Sequence, residues 1–225
     1  MVAGGFERER LSTPGQIIIL NGAPRSGKSS IVAVIQETFA GPWMNLGVDV
    51  FVRHVTPPRY RPGMGLRPGE EGHEITPLVP ALYEAMYESV AAHSRSGLNV
   101  VVDVGHHDEK ILADCARRLS GLPVLFVGVR CPIEVVMERR NTGQLGREGD
   151  YATGSTAEPV PAPVRRWQQQ VHVPGVYDLE VDTSIQSPEQ CAELIRRRLD
   201  EGPPPSAFRR LAEGMPLAPP ERPLM

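Results

Sequence analysis

Five short apolar runs, at 17–20, 44–48, 100–104, 124–129 and 176–181, punctuate the chain. Near-continuous apolarity over four to six residues suits strands buried on both faces, where no side chain meets water. Between and after these runs the apolar positions recur every three to four residues, which predicts helices over 28–39, 76–96, 108–119, 132–140, 160–171 and 188–200. Strand–helix alternation of this kind implies an α/β fold with a five-stranded parallel sheet covered by helices on both faces. Right-handed crossovers then place a ligand site at the carboxyl ends of the strands.

Local residues punctuate the pattern. Asp108 is placed to cap the helix that follows it, and Gly121 to end it. Pro132 and Pro188 suit the first positions of their helices. Residues 56–73 and 141–163, rich in Gly, Pro and charge, predict two long surface loops. Residues 1–15 read as a flexible N-terminus, 16–201 as one domain, and 202–225 as a Pro-rich disordered tail.

Composition narrows the function. The 225 residues suit one domain, and a hydrophobic content of 40% is enough for its core. A formal charge of −3 supplies no broad positive field for nucleic acid or an anionic membrane. The three cysteines, Cys115, Cys131 and Cys191, are scattered without metal-binding spacing, so reduced thiols and a cytoplasmic setting are expected. No apolar run approaches the roughly 18 residues of a membrane span, and the first residues lack a signal-peptide core.

The chemistry begins where the first strand ends. Gly22, Ala23, Pro24, Arg25, Ser26, Gly27, Lys28 and Ser29, followed by Ser30, match the phosphate-binding pattern G-x-x-x-x-G-K-[ST] between a strand and a helix. Glycines let backbone N–H groups turn inward, and the helix adds its positive end. Lys28 is one of only two lysines in the chain. It supplies a point charge where the broad fork of an arginine would not fit. Ser29 is placed to ligate Mg²⁺, while Arg25 is left between phosphate and solvent.

Three further groups extend the site. Asp49, expected at the end of the second strand, could accept or orient the proton of an attacking hydroxyl. Asp103, at the end of the third strand, occupies the Walker B position for holding Mg²⁺. Arg139, Arg140 and Arg147 follow the fourth helix, where mobile positive charge would close over a transferring phosphoryl group. Of these, Arg139 and Arg147 are the candidate catalytic arginines. His106 and His107 either line an acceptor pocket or pack, and adjacent histidines point apart, against a shared metal. Asp182, Thr183 and Ser184 place a loop near the nucleotide base or form an ordinary turn. Leu78, Leu82, Tyr83 and Met86 line either the pocket or the core.

With these pieces in order, the chain resembles the chloramphenicol phosphotransferase family of P-loop kinases. The resemblance rests on "IIILNGAPRSGKSSIV", "PWMNLGVDVF", "SGLNVVVDVG", "VLFVGVRCP" and "GVYDLEVDTS", in that order over about residues 16–184. It implies a P-loop NTPase/kinase fold, ATP and Mg²⁺, and phosphorylation of a small molecule's hydroxyl with the aspartate of G-V-D, here Asp49, as base. The chain departs from the family in having Asp103 followed by Val104 where members carry two acids, and in its Pro-rich tail. The acceptor is left open between an antibiotic, another natural product and, as in zeta-type toxins, a nucleotide sugar. A nucleotide-binding regulatory module without turnover is the alternative of another class. A nucleic-acid 5′-hydroxyl kinase is disfavoured by the acidic balance.

Overall fold

The computed structural model describes residues 13–60, 76–143 and 151–214. Strand β1 (Ile17–Asn21) leads into α1 (Lys28–Thr38), followed by β2 (Trp43–Asn45) and a short helical segment α2 (Val48–Val50) that continues as a π-turn over Phe51–Val55. Then come α3 (Val79–Arg95), β3 (Asn99–Val104), α4 (Glu109–Arg118), β4 (Val124–Arg130) and α5 (Ile133–Asn141). Helix α6 (Ala162–Gln170), β5 (Leu179–Asp182), α7 (Pro188–Asp200) and α8 (Ala207–Ala212) complete the order. The five strands form one parallel sheet in the order β2-β3-β1-β4-β5.

Strand periodicity builds two cores. Ile17 and Ile19 of β1, Val100 and Val102 of β3 and Phe126 of β4 face α3 and α4. Ile18, Leu20, Val101, Leu125 and Val127 face the other way, against Ile31 and Ile35 of α1 and Ile195 of α7. All of β1 is buried, as the apolar run predicts for a central strand. The Asp108 side chain accepts from the Lys110 N–H, and Ser187 and Gln190 form a reciprocal cap on α7 with Pro188 at its first position.

The structure departs from several of these expectations. The second strand is shorter and earlier than 44–48, because Leu46 N–H makes the last ladder bond to Val101 O and the Asn45 side chain then accepts from Gly47 N–H. Asp49 therefore sits in the first turn of α2 rather than at a strand tip. The fifth strand starts at Leu179, not 176, since the Phe126 N–H is taken by the Asp178 carboxylate, which also accepts from the Ser206 and Ala207 N–H groups. Pro132 precedes α5 as its cap and is not its first residue.

A further correction lies beyond Gly202, where a disordered tail was expected. Helix α8 docks there through buried Ala207 and Phe208, and the Phe208 ring meets Phe126 edge-on at 5.0 Å between centroids. Asp178 satisfies its first N–H groups. A six-residue helix is too short to show a periodic signal, and only its tertiary contacts hold it. Residues 215–225 lie outside the described residues, as do 1–12, 61–75 and 144–150.

Candidate active site

The phosphate loop joins the central strand to α1 at the carboxyl edge of the sheet. At Gly22 a Cβ would stand 2.6 Å from Val129 O and 2.8 Å from Ser26 Oγ, so no larger residue fits. Gly27 has φ +92°, a backbone conformation that side chains with a Cβ disfavour. The Lys28 ammonium donates to the carbonyls of Gly22 and Ala23 at 2.7 and 2.8 Å, folded back into its own loop. Burial lowers its pKa to about 8, against the opposing pull of Asp103 and then Asp49. Ser26 is buried with its Oγ unpartnered among the described residues.

Ser29 Oγ donates to Asp103 Oδ2 at 2.7 Å, so the hydroxyl and the carboxylate predicted for Mg²⁺ meet at one point. No cluster of three His, Cys, Asp or Glu capable of holding a metal occurs among the described residues. One hydroxyl and one carboxylate fit a cation such as Mg²⁺, which keeps waters and takes the rest of its shell from phosphate. Asp103 is pressed against Gly47, where a Cβ would lie 1.8 Å from Asp103 Oδ1. The glycine of "GVD" therefore makes room for the Asp103 carboxylate, and two residues later Asp49 is exposed.

Beside Asp49 lies a shallow apolar pocket, half open to solvent. Val48, Phe51, Val52 and Thr56 form one wall and Val79, Leu82, Tyr83 and Met86 of α3 the other. Of the four residues that sequence left between pocket and core, Leu82, Tyr83 and Met86 line the pocket, Met86 and Tyr83 also packing with the core, and Leu78 is exposed just before α3. Burial and the Asp49 charge raise the Tyr83 phenol pKa to about 12, so it stays protonated.

The arginines divide. Arg139 donates to Thr183 O at 2.7 Å and to Thr183 Oγ1 at 3.1 Å, with its Nη1 3.4 Å from where a Gly27 Cβ would stand. It thus lies against the phosphate loop. Thr183 itself donates to Ser26 O at 2.7 Å, so the turn after β5 reaches the phosphate loop. Arg140 is buried and donates to Ala152 O, and its charge is felt at Lys28. Arg147 lies outside the described residues.

Two features escaped sequence reasoning. Arg25 turns toward α5, where its guanidinium donates to Arg139 O and Gly143 O. Asn21 is a buried hub whose amide donates to Val171 O and Tyr177 Oη and whose oxygen accepts from His106 N–H. His106 packs: it is buried, bonded to Tyr87 Oη at 2.5 Å and held neutral by burial, with its pKa lowered to about 3. His107 rests on Trp167 at 4.6 Å between rings. A polar residue closing an otherwise apolar strand was the only available signal for Asn21.

Residues 15–200 match the profile of the chloramphenicol phosphotransferase-like proteins. The chain belongs to the chloramphenicol phosphotransferase-like family. A Mycobacterium tuberculosis protein named "Putative O-phosphotransferase Rv2636" is 26% identical over 211 residues, which is 88% of each chain. Among solved structures, a sugar kinase from a Janibacter species superposes with a TM-score of 0.57 at 18% identity, over 83% of this chain and 95% of that one. The tunicamycin resistance protein of Deinococcus radiodurans gives 0.54 at 20% identity, over 83% and 96%. Shikimate kinase from Acinetobacter baumannii gives 0.52 at 13%, over 84% and 94%. At these identities the structures establish a shared P-loop kinase fold. Within the described residues, this phosphotransferase-like chain has no helix long and apolar enough to cross a membrane.

Proposed function

We infer that this chain transfers the γ-phosphoryl group of ATP to a hydroxyl of a small, largely apolar acceptor. The observation that carries the reading is the apolar pocket formed beside Asp49, two residues along from the Gly47 that meets Asp103, with the Asp49 charge felt at Lys28. In this reading Lys28 leaves the Gly22 and Ala23 carbonyls to hold the phosphate chain, and the inward N–H groups of the loop orient it. Ser29 and Asp103 would hold Mg²⁺, which neutralises charge on the phosphoryl oxygens when bound.

Asp49 accepts the proton of the acceptor hydroxyl as its oxygen forms a bond to the γ-phosphorus. The bond from that phosphorus to the bridging oxygen breaks, and ADP leaves with the electron pair. Arg139, on the crown of the loop, steadies the charge that moves to the leaving oxygen. The pocket walls place the acceptor and keep water, the competing nucleophile, away from the site. The "O-phosphotransferase" name of the mycobacterial relative agrees with this reading. Such a reaction draws on the ATP of the cytoplasm, and the three cysteines are free thiols, as that compartment allows.

The test is incubation with Mg-ATP and two matched panels, apolar or aromatic alcohols (chloramphenicol among them) and polyols including sugars and nucleotide sugars. Mass spectrometry reads the phosphate ester. Products confined to the apolar panel support the reading; products from polyols alone overturn the acceptor class, and ATP binding without any product overturns catalysis.

A further inference from the structure

Arg25 occupies a variable position of the phosphate loop, yet its backbone is the one non-glycine position among the described residues with positive φ, at +73°. A residue with a Cβ is disfavoured there, and such strain persists only where surrounding contacts fix it. The guanidinium donates from Nε to Arg139 O at 3.1 Å and from Nη2 to both Arg139 O and Gly143 O, the latter at 3.0 Å. These carbonyls lie at the C-terminal end of α5, where a helix leaves acceptors unpaired and its dipole favours a cation. The guanidinium also lies 5.4 Å from the centre of the Tyr151 ring, which Arg140 approaches at the same 5.4 Å.

The exchange is mutual. Arg139 Nη1 returns a long hydrogen bond to Arg25 O at 3.4 Å, while its other donors hold Thr183. One arginine's side chain thus grips the other's backbone in both directions, across 114 residues of sequence. We propose that Arg25 is a positioning residue for nucleotide binding, fixing the end of α5 so that the Arg139 guanidinium lies on the phosphate loop. The proposal rests on the ATP reading above and adds a role for a loop residue with its own side chain turned from the phosphates.

Calorimetric titration of the full chain with Mg-ATP tests it in wild type, Arg25→Ala, Arg139→Ala, the double variant and Arg25→Lys. If Arg25 acts through Arg139, each alanine variant weakens binding about tenfold and the double variant is no weaker than Arg139→Ala alone, since the two share one effect. Arg25→Lys, which keeps a donor for one carbonyl, recovers part of the loss. Roughly hundredfold weakening in the double variant overturns the proposal, because additive losses mean that Arg25 has a phosphate contact of its own. Unchanged affinity in Arg25→Ala beside weakened Arg139→Ala also overturns it. Absence of binding by the wild type overturns the ATP reading instead, and removes the ground of the proposal with it.

Discussion

Ser29 and Asp103, 74 residues apart, meet in a 2.7 Å hydrogen bond between the hydroxyl at the start of α1 and the carboxylate at the end of β3. The pairing follows from register: β1 and β3 are adjacent and parallel, with Leu20 opposite Asp103, so both strands deliver their ends to one edge. Ser29→Ala and Asp103→Asn are each expected to lower phosphoryl transfer on the order of 10²-fold, as for loss of one group that stabilises transition-state charge. The two losses should not multiply in the double variant if both groups serve one cation. Steady-state rates over a range of Mg²⁺ concentrations check this, and multiplicative losses would separate the two roles.

Gly47 has no room for a methyl group, with Asp103 Oδ1 1.8 Å from the position of its Cβ. Gly47→Ala should destabilise the fold by about 1–3 kcal/mol through overpacking, and displace both Asp103 and the start of α2. Thermal unfolding gives the first effect. A loss of turnover at saturating ATP in the folded fraction gives the second.

Lys28 makes the site pH-sensitive. Its pKa in the fold, about 8, lies below the ordinary 10.5, so burial disfavours the ammonium. Between those values the folded chain binds fewer protons than the unfolded one, and this residue's contribution to stability therefore improves as pH rises. Below about pH 8 the burial penalty is present in full. Nucleotide binding runs the opposite way, because phosphate requires the charged form. ATP affinity should be flat below pH 8 and fall above it with proton uptake, by up to about tenfold per pH unit. Calorimetry in buffers of different ionisation enthalpy measures that uptake, and a constant affinity from pH 7 to 9.5 would remove Lys28 from the binding step.

Phe208 fills the core face of β4 from the far end of the chain, buried against Phe126. Phe208→Ala is expected to cost about 3–5 kcal/mol of stability, measured by denaturant unfolding, with little change in the affinity of the folded protein for ATP. A negligible cost would mean that α8 does not dock.

How much of this was legible in the sequence depends on whether a residue acts through local pattern or through distant contact. The phosphate loop, the Asp103 strand end and the two-faced sheet were readable because spacing along a few residues fixes them. Asp49 was assigned its edge of the sheet, but its placement in α2 depends on Gly47 passing Asp103, a contact between distant segments. Helix α8 was invisible, and the hub role of Asn21 barely signalled, for the same reason: Asp178 and Phe126 hold the helix, and His106 and Tyr177 surround the amide. Arg25 belongs to this group too. Its motif position permits any residue, and only the end of α5 gives it a task.

The central claim is that Asp49 activates the acceptor at a nucleotide held by Lys28. The most direct test compares wild type with Asp49→Asn for Mg-ATP affinity and for phosphate-ester formation on an acceptor identified from the alcohol panels. The expected result is retained affinity, within about twofold, with transfer lowered by about 10²–10⁴-fold, the range for loss of a general base. An Asp49→Asn protein that forms the ester at the wild-type rate would contradict the claim.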